Sequence, residues 1–490
     1  MKIKLSREKS TGNFWIDTGL VVLMSHFGEG EHDADYVRRW LLGRLIQKTG
    51  NIGKYFDKTT GTLQEYEKVN WVYPTNLFIK VSGVGGEKIE VDGEKYPTQP
   101  PVFDLKIDLG KRPGICDICG DTTLLTDAKM WMFPFLVDPQ KFSTFYPGTK
   151  RGLRLCARCA LAGLAVYLGW LWKAQGGDAL HFFIFYTERA ELERLHREVL
   201  EPIKVKSDKS GNAPTAFWGP YIHETTLGLL MALFVHVHQS DQLSEEGRKY
   251  LAALLGAVQD TLPTPIALYA VTGTPRQAFN MQTLREFTNL HSLYRLYELW
   301  TKTLAAIQID PNSYRRLILI LSQFQDQSRE SIWRDRIARE ILEFGDPFPF
   351  IEEFLFDVRA REENPGPLIL GTLTIFGQYL KEVLGMNEQF QRVLAGFGYN
   401  LGYAAQEHSE MGLLYALRNA KNPEDFYRVL NDAQFRLNVT IPEGLLLIEK
   451  GERIAGVPWI RVKTILSIYA MNAFLRRTAR QEETLPLTEG

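Results

Sequence analysis

The sequence predicts an α+β protein: an N-terminal mixed α/β region with an inserted four-cysteine module, a mostly helical middle and a C-terminal helical bundle. Three observations point there. Short β-rich pieces with turn residues fill the stretch from 71 to 109. All the cysteines of the chain fall in two C-x-x-C units, Cys116–Cys119 and Cys156–Cys159, with 36 residues between them. From about residue 220 onward the apolar residues recur almost entirely at helical spacing.

The 490 residues exceed what one small core organises, so two to four domains are expected. Lys and Arg total 57 against 58 for Asp and Glu, a net charge of −1. Global charge therefore exerts no pull on nucleic acid, and any such binding must come from local patches or partner subunits. Residues 1–7 carry no apolar run behind a basic start, so no secretory signal is expected. The uncharged stretch Cys159–Trp172 has 14 residues, fewer than the ~20 of a membrane span, and reads as a buried helix. Cysteines committed to a metal leave none for disulfides, which fits a reducing cytoplasm.

Element by element, Asp17-Thr18-Gly19 leads into the apolar run Leu20–Met24, the start of a first helix. Residues 34–49 are amphipathic and predicted helical. Leu77–Val81 reads as a strand, Gly83–Gly86 as a turn, and Lys88–Val91 as a strand beside the tight turn Asp92-Gly93. The cysteine module occupies about 110–160. His181–Thr187 (HFFIFYT) is a strong strand, and Lys204–Thr215 a polar, flexible loop. Candidate helices cover 225–238, 244–259, 282–306, 313–325, 329–344 and 348–360. The charged, Pro- and Gly-bearing run 359–367 marks a boundary between an N-terminal domain (1–365) and a bundle (366–480), with 481–490 as a flexible tail. Asn422-Pro423-Glu424-Asp425 is a helix start with a capping Asn, Pro at the first position and acids facing the helix dipole.

The cysteines bear the strongest chemistry. A C-x-x-C turn directs two thiolates toward one point, and two such turns supply four soft ligands for a tetrahedral zinc. Gly120 allows the tight turn such a knuckle needs. A catalytic zinc would keep one position open, so Cys116, Cys119, Cys156 and Cys159 are assigned to structural zinc. A redox dithiol needs only one of the pairs.

No catalytic constellation accompanies them. The chain has no G-x-x-x-x-G-K-[ST], no G-x-S-x-G and no H-E-x-x-H; His223-Glu224 has Leu227 where the second histidine would stand. His236 and His238 point to different helix faces, and His32-Asp33 lacks the further ligands of a metal-dependent phosphohydrolase. A non-enzyme is expected. Several basic residues are candidate phosphate contacts. Arg151, Arg154 and Arg158 surround the second cysteine pair, and Lys88 lies in the hairpin. Lys204, Lys206 and Lys209 sit in the flexible loop with Asn212, and Arg476, Arg477 and Arg480 end the last helix. The arginines at 329–339 are interleaved with acids and read as a solvated, self-paired face.

Three stretches together carry a family resemblance: TGNFWIDTG at 11–19, CDICG with LCARC at 116–120 and 155–159, and LLYALRNAKNPEDFYRVLNDAQFRL at 413–437. With them the chain resembles the large subunit of type I CRISPR effector complexes (Cascade), in the CXXC–CXXC subfamily of subtype I-B. The resemblance implies a non-catalytic subunit that recognises the motif adjacent to the target in duplex DNA and supports R-loop formation, while guide RNA reads the target strand. The partners it implies are guide RNA, target double-stranded DNA and its displaced strand, the other complex subunits, and a recruited helicase-nuclease or transposition factor. A zinc-stabilised RNA- or protein-binding scaffold and a nuclease using His32 and Asp33 are the alternatives.

Overall fold

The computed structural model describes the chain except residues 9, 72–78, 83–85, 106, 111, 130–131, 133–151, 176–178, 206–210, 218, 259–263, 275–279, 308–311 and 485–490. It is a mixed α/β protein whose C-terminal half is mainly helical, as expected. The chain forms two compact units, one of residues 1–214 and 236–291, the other of 215–235 and 292–490.

The first unit begins with strand β1 (Lys2–Leu5), helix α1 (Phe14–Phe27), strand β2 (Gly30–Asp33) and helix α2 (Ala34–Leu45). Asn13 caps α1 by accepting from the Ile16 N–H, and Asp33 caps α2 by accepting from Tyr36, so each turn residue satisfies an orphan helix donor. Where a helix was expected to run on to 49, the chain turns into β3 (Ile46–Asp57), which pairs along its length with β4 (Thr62–Trp71). The residues of β3 from Gln47 to Ile52 are all exposed, so the ribbon lacks the one-sided apolar alternation that announces a half-buried strand.

Strand β5 (Ile79–Ser82) does not return into β6 (Lys88–Val91). The latter pairs with β7 (Glu94–Pro97) around Asp92-Gly93, whose φ values of 53° and 81° make the tight hairpin, while β5 pairs with β8 (Val102–Leu105). The expected turn at 83–86 lies almost wholly outside the described residues. Next come β9 (Arg112–Ile115), β10 (Thr122–Asp127) and β11 (Arg154–Cys156), forming one three-stranded antiparallel sheet, and helix α3 (Ala157–Gly169).

A four-stranded antiparallel sheet closes this unit, in the order β12 (Leu171–Gln175), β13 (Ala179–Tyr186), β14 (Ala267–Thr274), β15 (Asn280–Phe287). The last two strands correct the expectation that the chain beyond 215 is almost entirely helical, and that a helix begins at 282. β15 is an edge strand with Met281 and Leu284 exposed, so its apolar residues mimic the spacing of the helix that follows. Helices α1 and α3 approach at backbone distance: a Cβ on Gly19 would sit 1.8 Å from the Ala162 carbonyl oxygen. Trp15, fully buried, donates its indole N–H to the carbonyls of Met132 (2.9 Å) and Gly163 (3.0 Å).

Helix α4 (Arg189–Leu195) continues into a π turn at His196–Leu200, and α5 (Ile222–Phe234) belongs to the second unit although α6 (Glu245–Leu254) returns to the first. After α7 (Leu290–Ala306) the second unit runs through α8 (Ser313–Ser322), α9 (Ile332–Glu343), α10 (Phe348–Asp357), α11 (Thr372–Glu382), α12 (Glu388–Glu407), α13 (Met411–Asn419), α14 (Pro423–Leu437) and α15 (Trp459–Thr484). The boundary expected at 365 falls inside it, because helices on both sides share one core. Phe376 of α11 meets Trp300, Phe324 and Phe348, and the Leu368 N–H donates to Asn472 Oδ1 at 2.8 Å. The charges of 359–367 pair locally, Arg359 with Glu362 and Arg361 with Asp357, each at 3.2 Å. Helices α12 and α15 cross closely: a Cβ on Gly402 would lie 2.0 Å from the Ala470 carbonyl oxygen.

One buried acid gives this unit a pH dependence. Burial pushes the Glu352 carboxyl of α10 up to about 7, against the opposing pull of Lys463 and Arg418. A folded pKa above the unfolded one means that the proton is held more tightly in the native state. The contribution is therefore complete below the ordinary glutamate range and lost as pH rises toward 7. Thermal stability is expected to fall between pH 5 and 8. E352Q should flatten that decline and gain about 3 kcal/mol at pH 8 in urea melts of the two proteins.

Candidate metal centre

The four cysteines converge. Cys116 directly follows β9, Cys119 closes the knuckle, Cys156 ends β11 and caps α3, and Cys159 lies in the first turn of that helix. Their sulfurs all lie within 4.8 Å of one another, with Cys119 and Cys156 at 3.7 Å. Four thiolates at ~2.3 Å from a shared tetrahedral centre sit about 3.8 Å apart, whereas a disulfide needs about 2 Å. The set therefore fits a single metal ion and not a pair of bonds.

Local hydrogen bonds shape the knuckle. The Gly120 N–H donates to the Cys116 carbonyl at 3.0 Å with Gly120 at φ 74°, and the Cys116 N–H to the Asp121 carbonyl at 2.9 Å. Backbone N–H groups also reach sulfur: Cys156 N–H to Cys116 Sγ at 3.3 Å and Cys159 N–H to Cys156 Sγ at 3.4 Å. Both favour thiolate. Hydrogen bonds from Cys119, Cys156 and Cys159 pull the Cys116 thiol far below its ordinary range, while the bond with Cys116 pushes Cys156 and Cys159 up. The Cys119 thiol is also lowered, to about 7, so protons leave most easily from these two, and Cys156 and Cys159 need a cation to compensate the charge. Cys116, Cys156 and Cys159 are buried and Cys119 half-buried, so the set offers no open coordination face.

Arg158 supplies counter-charge. It is 7% exposed and pairs with Asp121 at 2.9 Å. Burial alone would depress its guanidinium, but the negative charge of Cys159, Cys119 and Cys156 outweighs this and raises it. Arg158 thus turns inward and is no phosphate contact. Arg154 is half-buried on β11, its backbone N–H donating to Asp117 Oδ2 at 2.7 Å, and Arg151 lies outside the described residues.

The other expected contacts disperse. Lys204 is no phosphate probe: its ammonium donates to the Leu168 carbonyl at 2.9 Å and pairs with Glu201, with 14% of the side chain exposed. Asn212 is buried and stitches its segment to β12. It accepts from the Trp172 N–H at 2.9 Å and donates to the Trp170 carbonyl at 3.3 Å. The loop is thus anchored at both ends, Lys204 on the last turn of α3 and Asn212 on β12, instead of facing solvent. Lys206 and Lys209 lie outside the described residues. Lys88 is exposed on its hairpin and Arg476 half-buried on α15; the side chains of Arg477 and Arg480 are not described. The arginines of α9 are paired, but only Arg339 pairs within its own helix, with Glu340; Arg334 is buried on Glu224 of α5 and Arg336 reaches Glu353 of α10, so the expected solvated, self-paired face holds only in part.

The opening TGNFWIDTG has a structural meaning that its sequence did not announce. Asp17, 1% exposed, accepts from Ser10 Oγ (2.7 Å), Thr11 N–H and Oγ1 (both 2.8 Å), Gly12 N–H (3.1 Å) and Tyr186 OH (3.0 Å). The available signal was the run of short donors five to seven residues before an acid. His32-Asp33 is a helix cap, and His223 leans on Asp335 at 3.1 Å. Among the described residues no other His, Cys, Asp or Glu group gathers closely enough to hold a metal.

Fold and site together define a mixed α/β protein with a four-cysteine cluster able to hold a metal ion. No family model and no curated protein matches the chain. No described helix is long and apolar enough to cross a membrane.

Proposed function

We propose that this chain is a non-catalytic, zinc-bearing large subunit of an RNA-guided type I-B CRISPR surveillance complex, working in the cytoplasm. One observation carries the reading: the opening TGNFWIDTG, the paired C-x-x-C units and the helical C-terminal run occur together in one chain. Two structural facts support it. The four cysteines assemble into one closed set, and the C-terminal residues form successive packed helices. Cys116, Cys119, Cys156 and Cys159 would hold zinc, which ties β9, β11 and α3 into one module. The subunit's task would be to recognise the motif flanking the target in duplex DNA, support strand opening, and recruit a helicase-nuclease or transposition factor. Guide RNA and the other subunits would be its standing partners.

Since Lys204 and Asn212 are internally engaged, backbone contacts are assigned to exposed Lys88 and to half-buried Arg476 in the last third of α15. Binding of guide-matched duplexes with varied flanking sequence to the assembled complex tests the reading. Flanking-sequence dependence without cleavage is expected; RNA binding indifferent to the flank would favour a scaffold instead. A K88A/R476A double variant should bind target about tenfold more weakly, with a shallower salt dependence. Lys204→Ala should change stability and leave the salt slope unaltered.

A further inference from the structure

A cavity of about 260 Å³ opens in the first unit, away from the cysteines, among α1, α2, α3, α4 and the π turn. Its size approaches the low end of small-molecule sites, ~300 Å³. Three kinds of group line it. His26 and Trp40 form a stack, ring centroids 4.3 Å apart and planes 18° from parallel. Arg44 and Arg197 stand at its wall, facing Glu193 and Glu201. His196 reaches it from the first position of the π turn, 5% exposed, with Nε2 lacking a hydrogen-bond partner. Interrupted helical turns of this kind occur frequently at functional sites.

The charges do not cancel. Glu193 is held by Arg7 (2.9 Å), Glu201 by Lys204, and Arg197 by Glu198 (3.0 Å). Arg44 is exposed and has no ion partner among the described residues, and Lys204 is a like charge close enough to feel it. The wall therefore keeps one unspent cation. Burial pushes His196 down to about 3, so its imidazole is neutral at working pH and Nε2 exchanges a hydrogen bond rather than a charge. A stacking surface, a neutral hydrogen-bonding edge and a cation on one small cavity match the three parts of a nucleotide: ring face, ring edge and phosphate.

The geometry points to a nucleotide-binding site here, with the base against His26 and Trp40, its edge toward His196 and its phosphate toward Arg44. The site goes beyond the function proposed above and does not depend on it. The nucleotide is either free or the end of a single strand, and the test separates these. Full-length protein is titrated calorimetrically with adenosine 5′-monophosphate, adenosine, ribose 5-phosphate and a 5′-phosphorylated single-stranded pentanucleotide. The monophosphate or the pentanucleotide is expected to bind at least tenfold more tightly than adenosine, and ribose 5-phosphate without detectable heat. The tighter of the two phosphorylated probes names the source. R44A should remove the advantage over adenosine, and H26A should weaken both probes several-fold; both residues are exposed, so these variants keep the fold. Trp40→Leu, checked by circular dichroism, should do the same. Failure of both phosphorylated probes to bind, or binding unmoved by R44A and H26A together, overturns the assignment.

Discussion

Serine at Cys156 is expected to strip the protein of its metal and unravel the module around it. Structural zinc contributes ~10–16 kcal/mol of apparent binding energy that is also folding energy, and a tetrahedral site deprived of one thiolate loses much of it. Serine is the informative replacement because Cys156 has two roles. Its sulfur belongs to the four-thiol set, and it also caps α3 by accepting from the Cys159 N–H. A serine hydroxyl preserves the cap, which is worth about 1 kcal/mol, and removes only the soft ligand. Metal analysis of purified C156S should show the loss directly. Chelation of the native protein should reproduce it, with near-ultraviolet circular dichroism reporting loosened packing around Trp15 and Trp170, whose rings lie 6.0 Å apart in the core behind α3. Full metal content in C156S, or an unchanged spectrum after the metal is removed, would refute the closed site.

The second large effect is expected from Arg334→Met. Glu224 is completely buried, and Arg334 Nε donates to it at 2.6 Å, beside Ser331 Oγ at 2.8 Å and the Tyr221 N–H at 3.1 Å. Removing the cation leaves a carboxylate with no compensating charge in the interior, which costs about 3–5 kcal/mol. The sign with pH follows from the same burial. Desolvation already raises the Glu224 carboxyl, opposed chiefly by Arg334. Without the arginine the acid takes a proton more readily, so R334M should lose more stability at pH 8 than at pH 5. Denaturant midpoints at the two pH values measure this. The double variant R334M/E224Q should recover much of the loss and most of the pH dependence. Equal losses at both pH values would place the effect in packing against Phe217 instead, over whose ring the guanidinium lies at 5.5 Å.

The legible parts of this chain were those where sequence spacing maps onto geometry without help from distant residues. The C-x-x-C units are such a case, since each turn aims its own two sulfurs. Asn422 is another: its side chain accepts from the Asp425 N–H at 2.7 Å, as the local pattern required. What failed was decided at long range. Ala267–Thr274 is a strand because β13 lies beside it, with His181 and Thr272 bonded at 2.7 Å across the pair. Lys204 looked like a solvent cation because its acceptor, the Leu168 carbonyl, is 36 residues earlier. The buried role of Asp17 was not legible because a buried acid is recognised by its donors, and one of them, Tyr186, is 169 residues away.

The excursion of residues 215–235 into the second unit sets an order on synthesis. Glu224 leaves the ribosome 110 residues ahead of Arg334, an interval of roughly 5–20 s at ordinary elongation rates. Throughout it, α5 is an apolar helix with an ionisable group and no partner for either. The first unit, meanwhile, needs only residues up to 291 to close its four-stranded sheet. A released chain truncated near residue 300 should therefore carry a protease-resistant N-terminal body and a cleavable segment around 215–235. The same path means that no single cut separates the two units, so each can be isolated only by rejoining the chain across the excursion.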